Sequence, residues 1–305
     1  MVTSVTENGV PEAEAAPPLL PWRVRKARSV AAFLSPAVRR AAADRGIDPA
    51  TLSGRIGSGA QGRVALRDLE STPTGDERVP FNRVQLRAGA ALLESKHTAA
   101  HALTVIEADY SAVDRARGEW RERFRSEEGF SLTYLPFVAR AAIEALRDFP
   151  LLNASVGDDA LVMHRRVGLG IAVDLDNEGL VVPVVHDAGS LRLRALARAI
   201  DDIARRARSK RLTPDDMAGG TFTITNPGGY GTEISVPILN RPQVGILSTD
   251  GVRKRVVADG ETLAIRPAGF LCLSFDHRAL DGAYAGAFVG RVREIVESRD
   301  WLTEM

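Results

Sequence analysis

Near the C-terminal end of the chain, an alternating apolar run leads into a histidine that is followed four residues later by an aspartate. Residues 270–275 (Phe-Leu-Cys-Leu-Ser-Phe) are typical of a buried strand, and His277 and Asp281 follow them. An imidazole titrates near neutral pH, so a histidine at a strand end can take up and return a proton at the edge of a cleft. If the chain turns helically after His277, Asp281 returns to the same side. The same residues also fit a simpler interpretation, a half-buried histidine followed by a capping aspartate.

The composition restricts the class of protein. A chain of 305 residues, 45% hydrophobic and 26% charged, is typical of two globular domains or of one large domain with an appendage. The net charge of +1 gives no overall case for binding nucleic acid. The single cysteine, Cys272, excludes a disulfide framework. Because no segment approaches about 18 apolar residues and no secretory signal is evident, we expect a cytoplasmic protein without a membrane span.

The first 80 residues contain one small unit between two linkers. Residues 1–27 have the composition of a disordered linker, and residues 71–79 form a second linker. Between them, Ser35 and Pro36 predict the start of a helix, and Gly46 predicts its end. A glycine-rich loop over 57–63 and a second short helix over 64–70 complete a predicted helical domain over residues 28–70.

This small unit is strongly basic. From Arg23 to Glu70 there are ten Lys/Arg and four Asp/Glu, a net charge of +6, so the rest of the chain carries −5. The asymmetry predicts an acidic partner surface, with a solvated basic face as the alternative. No aromatic residue is interleaved with the arginines from Arg39 onward, which argues against nucleic acid.

Residues 80–305 are long enough for one large domain. The patterns predict helices over 88–96 and 135–147, one helix face on Leu196, Ile200, Ile203 and Ala207, and a last helix through Val289 to Val296. They predict strands over 104–108, 169–174, 180–186, 221–226 and 244–248, with a hairpin loop at 176–179. Because helices and strands mix without regular alternation, the expected fold class is α+β, a mixed α/β two-layer domain.

The strand over 221–226 carries a second candidate functional residue. Its three threonines lie on one face, and Thr225 is last before Asn226 and a Pro-Gly-Gly break. A threonine at that place can present its hydroxyl to a cleft, although threonine also occurs in strands through propensity alone.

Four segments of the large domain resemble the dihydrolipoamide acyltransferase component of 2-oxo acid dehydrogenase complexes. They are 132–137 (Leu-Thr-Tyr-Leu-Pro-Phe), 149–155 (Phe-Pro-Leu-Leu-Asn-Ala-Ser), 219–226 (Gly-Gly-Thr-Phe-Thr-Ile-Thr-Asn) and 276–282. The small unit resembles the peripheral subunit-binding domain of the family through residues 35–39 and 57–63. The resemblance implies a chloramphenicol-acetyltransferase-like catalytic domain over 80–305, preceded by the subunit-binding domain over 28–70.

The resemblance also implies roles for these residues. His277 would be the general base that takes the thiol proton of CoA or dihydrolipoamide, Thr225 the oxyanion donor and Asp281 a residue that holds the geometry. His277 and Thr225 would come from neighbouring subunits of a homotrimer, which is expected alone or within a larger core. The chemistry requires neither a metal nor a covalent enzyme intermediate.

Substrate contacts follow from motif positions in the same way. Arg117, Thr133 and Asp174 match positions that contact CoA, which is a substrate in this family, and the charge of Arg117 suits a CoA phosphate. The alternative for Arg117 is a solvated charge on a helix.

The family usually carries a lipoyl domain ahead of the subunit-binding domain, and this sequence shows only a linker there. We therefore expect the lipoyl group on a separate carrier, and docking of dihydrolipoamide dehydrogenase, of the 2-oxo acid decarboxylase, or of both on the basic domain. Two alternatives stay open: a stand-alone acyl-CoA-dependent acyltransferase, and a non-catalytic scaffold that recruits dihydrolipoamide dehydrogenase. The acyl group, whether acetyl, succinyl or branched-chain, is also left open.

Overall fold

A computed structural model describes residues 34–52, 57–60, 63–69, 79–176 and 178–305. It separates into two compact units, Met1–Pro80 and Phe81–Met305. The predicted linkers over 1–27 and 71–79 lie outside the described residues, apart from Val79. Within the described part of the chain, no helix is both long and apolar enough to cross a membrane.

The first unit is built on helix α1, Pro36–Asp44. As predicted, the Ser35 side chain caps it by accepting a hydrogen bond from the Val38 amide, and Pro36 occupies the first turn. Gly46, with φ +69°, follows the helix end in the left-handed conformation that suits glycine. The apolar residues of this unit meet in one small core: Leu34, Val38, Ala42, Leu52, Val64 and Leu69.

The second predicted helix of this unit is wrong in type. Instead of a helix over 64–70, the structure has a single 3₁₀ turn, Leu66–Leu69. The Asp68 carboxylate accepts hydrogen bonds from the backbone amides of Ser58 and Ala65, each at 2.8 Å. These contacts tie the turn to the glycine-rich loop, which favours a tight local turn over a longer helix.

The second unit contains five further helices and eleven strands in the described residues. The helices are α2 (Arg83–Thr98), α3 (Ser111–Glu128), α4 (Leu135–Asp148), α5 (Leu193–Arg208) and α6 (Gly282–Ser298). The strands are β1 (His101–Asp109), β2 (Ala154–Val156), β3 (Leu161–Met163), β4 (Leu169–Ile171), β5 (Val173–Asp174), β6 (Leu180–Val181), β7 (Val184–Val185), β8 (Phe222–Thr225), β9 (Gly245–Thr249), β10 (Arg253–Asp259) and β11 (Thr262–Asp276).

Seven of these strands form one mixed sheet. Six follow the order β1-β11-β9-β8-β4-β7, and β10 pairs with the first half of β11. β4, β8 and β9 run parallel, whereas β11 runs antiparallel to β9 and β1. The consequence for function is that β8 and β11, the two strands that end in candidate site residues, point in opposite directions on either side of β9.

The helices cover the sheet through the apolar faces that the sequence predicts. Leu196, Ile200 and Ile203 of α5 are buried, and so are Val289 and Val292 of α6. α4 packs against α6, and α6 packs against β1. The two-layer α+β class is therefore confirmed.

Candidate active site

His277 directly follows the last residue of β11 and is exposed in the single chain. Its backbone amide donates to the Ala100 carbonyl at 2.8 Å, which fixes the strand end against the start of β1. The ring lies 5.7 Å from the ring of Phe275, centroid to centroid. Among the described residues, none forms a hydrogen bond with its ring nitrogens. The backbone of His277 is therefore held in place, while both ring nitrogens are available for proton transfer.

The turn that carries His277 is stabilised by its two sequence neighbours. Arg278 donates to both carboxylate oxygens of the buried Asp276, with a shortest distance of 2.6 Å. The Ala100 amide donates to Asp276 as well, at 3.2 Å. Burial raises the pKa of Asp276, but the hydrogen bonds and charge of Arg278 outweigh it and leave the pKa below its usual range. Sequence reasoning missed this pair, although a carboxylate at the end of a buried strand signals the need for a cation.

The spacing suggested that Asp281 lies beside His277 on a helix. The structure shows that it does not. Residues 277–279 form a turn, and α6 begins only at Gly282. The Asp281 carboxylate caps that helix by accepting from the Tyr284 amide at 2.9 Å. The simpler interpretation is thus right about the capping aspartate, but wrong about the histidine, which is exposed.

Thr225 is the last residue of β8 and lies on the same face as Thr221 and Thr223. Thr223 is fully buried, with its hydroxyl donating to Gln243 at 2.6 Å, whereas Thr225 is half-buried. Thr225 lines a cavity of about 600 Å³. The structure therefore places its side chain at a cleft, as predicted.

Within one chain, Thr225 and His277 lie at opposite ends of the sheet. Thr225 pairs with Ser248 of β9, and Ser248 pairs with Cys272 of β11. His277 is five residues beyond Cys272, which corresponds to roughly 16 Å along the strand, and two strand spacings add roughly 9.5 Å across the sheet. The two side chains cannot act on one substrate from the same chain.

A buried polar row lies beside Thr225. The Asp250 carboxylate accepts from the Ser235 hydroxyl at 2.6 Å and from the Ser248 hydroxyl at 3.1 Å. The Cys272 thiol lies 3.6 Å from the same carboxylate, and burial raises the pKa of Cys272 to about 11. The thiol therefore stays protonated at neutral pH and is no nucleophile. Sequence reasoning missed this row. The sequence does contain a sign of it, because Ser248 and Asp250 interrupt the apolar run that begins β9.

Two of the three predicted CoA contacts lie together. Arg117 of α3 donates to the Leu132 carbonyl at 3.1 Å and to Asp114 at 2.8 Å, and its guanidinium lies 3.9 Å above the Tyr134 ring. Thr133 is exposed between Leu132 and Tyr134. Burial and a hydrogen bond to Asp114 raise the pKa of Tyr134 to about 12. Arg117 is thus held by a local network at the partly exposed surface of α3.

The third predicted contact lies elsewhere. Asp174 belongs to β5 and accepts a hydrogen bond from Tyr230 at 3.2 Å. The neighbouring Ala172 amide donates to the Ile224 carbonyl, so Asp174 lies on the Thr225 side of the sheet. No contact among the described residues joins Asp174 to Arg117 or Thr133.

A second cavity, of about 500 Å³, opens at the other end of β8. It is rich in basic side chains: His164, Arg165, Arg166 and His186 line it, together with Asp187. Thr221, four residues before Thr225, also lines it, so the two cavities flank opposite ends of one strand. The described residues contain no group of three or more His, Cys, Asp and Glu that could hold a metal ion.

Comparison with known proteins identifies the family. Residues 73–303 match the catalytic domain of the 2-oxoacid dehydrogenases acyltransferases, and residues 32–70 match the E3 binding domain. The chain belongs to the acyltransferase components of 2-oxo acid dehydrogenase complexes, and CoA is therefore its substrate.

Two curated relatives differ in substrate. The dihydrolipoyllysine-residue succinyltransferase component of the 2-oxoglutarate dehydrogenase complex of Rickettsia bellii is 34% identical, over 99% of this chain and 79% of that protein. The lipoamide acyltransferase component of the branched-chain alpha-keto acid dehydrogenase complex of Bacillus subtilis is 33% identical, over 89% of this chain and 72% of that protein. Overall identity therefore does not select an acyl group.

A solved structure supports the residue assignment. The dihydrolipoamide acetyltransferase of Azotobacter vinelandii has a TM-score of 0.71 and 31% identity, over 73% of this chain and 92% of that one. It was determined to study a serine, a histidine and an asparagine in catalysis, at spacings of 52 and four residues. Thr225, His277 and Asp281 have the same spacings.

Proposed function

We propose that this chain transfers an acyl group between dihydrolipoamide and CoA, with His277 as general base and Thr225 as oxyanion donor. The observation that carries the residue assignment is the spacing of hydroxyl, imidazole and side-chain oxygen, which matches the studied triplet of the Azotobacter enzyme. The exposed imidazole and the threonine at the mouth of a cavity support these two roles.

The reaction needs one proton acceptor and one hydrogen-bond donor. The neutral imidazole of His277 takes the proton of the attacking thiol, and the thiolate sulfur bonds to the carbonyl carbon of the acyl thioester. The carbonyl oxygen becomes an oxyanion, to which the Thr225 hydroxyl donates. The intermediate then collapses, the bond to the first sulfur breaks, and the imidazolium returns its proton to the leaving thiolate.

The complete site forms between subunits. Because Thr225 and His277 lie at opposite ends of the sheet of one chain, Thr225 of one subunit must meet His277 of another. A cyclic homotrimer closes three such heterologous contacts and creates three equal sites. Assembly of such trimers into a larger core is supported by similarity to the cubic core of the pyruvate dehydrogenase multienzyme complex. That structure has a TM-score of 0.70 and 32% identity, over 73% of this chain and 92% of that one.

Asp281 is assigned a positioning role. Its carboxylate closes the first turn of α6 and thereby holds the short connection between that helix and His277. An asparagine, as in the Azotobacter protein, has a side-chain oxygen that can accept the same hydrogen bond.

For CoA, we assign a phosphate to Arg117 and Thr133, and a further contact to Asp174. Arg117 keeps one guanidinium nitrogen, Nη2, outside its hydrogen bonds to Leu132 and Asp114, so it can still donate to a phosphate oxygen. Asp174 lies apart from these two residues, on the Thr225 side of the sheet, so we assign it a separate contact with CoA.

We assign residues 28–70 to the docking of dihydrolipoamide dehydrogenase, and residues 80–305 to catalysis. Arg39 and Arg40 are exposed on α1 and offer positive charge to an acidic partner surface. The 2-oxo acid decarboxylase is the alternative partner for the same surface. A cytoplasmic location fits the free thiol of Cys272.

The test is acyl transfer from acyl-CoA to dihydrolipoamide by the full chain. His277→Ala should lower kcat by about 10³-fold, because it removes the general base, while leaving the fold unchanged, because the side chain is exposed. His186→Ala, an exposed histidine of the basic cavity, is the matched control and should keep wild-type activity. Equal activity of wild type and His277→Ala would reject the catalytic assignment.

A further inference from the structure

The apolar cavity beside Thr225 bears on the chemical class of the acyl group. We propose that this enzyme transfers uncharged aliphatic acyl groups and discriminates against dicarboxylic ones such as succinyl. The inference rests on the proposed function, because it takes the acyl carbonyl to be the group that Thr225 contacts.

The position of Thr225 places the acyl chain in this cavity. An oxyanion donor must lie about 2.7–3.1 Å from the carbonyl oxygen, so the next carbons of the acyl chain lie within a few bond lengths of the Thr225 hydroxyl. Thr225 lines the cavity together with Pro227 and Ile246. The volume of about 600 Å³ accepts branched and unbranched short chains alike.

The walls of the cavity are mainly apolar. They come from α2, from the strands around β6, and from the segment after Ser235. The aliphatic and proline side chains that line it are Ala91, Leu92, Ala172, Leu180, Val182, Pro227, Val236, Pro237, Ile238, Leu239, Pro242 and Ile246. The polar side chains that line it are Glu94, Thr225, Ser235, Asn240 and Arg241. Such a wall gains free energy from an aliphatic chain and offers little compensation for the desolvation of a carboxylate.

Among the described residues, two charged side chains line this cavity, and they already bind each other. Arg241 donates to the Glu94 carboxylate at 2.6 Å. A terminal carboxylate of the substrate that approached Arg241 would meet the repulsion of the Glu94 carboxylate, which is already bound there. Glu94 therefore weakens the attraction that Arg241 would otherwise exert on the carboxylate of a succinyl group.

The free cations near the sheet lie in the wrong place. Arg165 and Arg166 line the other cavity, at the Thr221 end of β8. Four residues of strand separate Thr221 from Thr225, which is roughly 13 Å. The two methylene carbons between the carbonyl and the carboxylate of a succinyl group span much less than this distance, so these arginines cannot hold its carboxylate while Thr225 holds its carbonyl.

The experiment compares kcat/KM for isobutyryl-CoA and succinyl-CoA, each with free dihydrolipoamide and the full chain. We expect isobutyryl to be favoured by at least about tenfold. Succinyl transfer that equals or exceeds isobutyryl transfer would overturn the inference while leaving the acyltransferase assignment intact. Absence of transfer from either donor by the folded protein would overturn the proposed function and this inference together.

Glu94→Gln sharpens the test, because it removes the charge that occupies Arg241. The ratio of isobutyryl to succinyl kcat/KM should fall by about tenfold in this variant, mainly through a lower KM for succinyl-CoA. Glu261→Gln removes an exposed carboxylate from the β10–β11 turn, remote from the residues that line the cavity, and should leave the ratio unchanged. An equal fall in both variants, or in neither, would overturn the role assigned to the Glu94–Arg241 pair.

Discussion

The two ends of the central sheet differ in how much of a site each one builds. At the Thr225 end, a cavity, an apolar wall and a buried polar row are all present within one chain. At the His277 end, the imidazole is exposed, and only its backbone and its neighbours Asp276 and Arg278 are fixed. The difference shows that one end provides a binding pocket and the other provides a reactive group. Each chain thus holds two complementary halves of different sites.

The largest expected effect is the recovery of activity when a variant that is inactive at the Thr225 end is combined with one that is inactive at the His277 end. His277→Ala and Thr225→Ala should each be strongly impaired, since one loses the base and the other loses an oxyanion donor, worth about 10²-fold or more. Trimers assembled randomly from equal amounts of both variants should regain about a quarter of the wild-type sites, because each such site takes its intact residues from two different chains.

Co-expression of the two variants with different affinity tags, followed by an acyl-transfer assay, measures this recovery. In doubly tagged trimers the expected share rises to about one third of the wild-type sites, because each mixed trimer contains one intact site in three. Trimers that are separately purified and mixed without exchange serve as the control. If both residues of a site came from one chain, every mixed trimer would stay as inactive as the single variants.

The next effect tests how the His277 end is fixed. Arg278→Met removes the cation from a buried carboxylate, and we expect a loss of about 2 kcal/mol in the free energy of unfolding at neutral pH, less than for a fully buried pair because Arg278 is half-exposed. Arg293→Met, an exposed arginine of α6 with no ion-pair partner in the described part of the chain, is the control.

The same variant has a characteristic pH dependence. In the wild type the pKa of Asp276 is lowered, so its ionised form adds stability above the unfolded pKa of about 3.9, and this stability is lost as pH falls through the lower folded pKa. Without Arg278, burial raises that pKa, and protonation relieves the penalty on acidification. Urea unfolding from neutral pH to about pH 4 should show the deficit of the variant shrinking. A deficit that stays constant with pH would show that Asp276 is not its source.

The smallest effect concerns the cap beside His277. Asp281→Ala should cost about 1 kcal/mol of stability through loss of the bond to the Tyr284 amide, whereas Asp281→Asn should cost much less because its amide oxygen accepts the same bond. If capping is how Asp281 supports catalysis, kcat should fall in Asp281→Ala and recover in Asp281→Asn. A loss of kcat in both variants with stability retained in Asp281→Asn would point instead to a role for the carboxylate charge.

Much of the local structure could be predicted because its causes are local. Ser35 and Pro36 start α1 where their chemistry requires, and the apolar spacing of α5 marks the face that is buried. The alternation over 221–226 placed Thr225 at a strand end and at a cleft. Each of these patterns depends on contacts within a few residues of the chain.

Other features could not be predicted because they depend on distant partners. The Arg278–Asp276 pair forms where the end of β11 is buried beside β1, and the hydrogen bonds to Asp250 come from β9, from β11 and from the segment that contains Ser235. Trp301 is buried against Phe137 and donates to the Val296 carbonyl, so it belongs to the core of its own chain. No short segment of sequence contains these partners together.

The sequence by itself determined which residues we assign to the chemistry: a histidine that follows a buried strand, a threonine that ends another, and an aspartate that starts a helix. Only the tertiary structure decided where these residues lie, because strand direction and register depend on pairing between segments far apart in the chain. β8 and β11 are antiparallel across β9, and this pairing separates Thr225 from His277, which is why the site that we propose requires an assembly of chains.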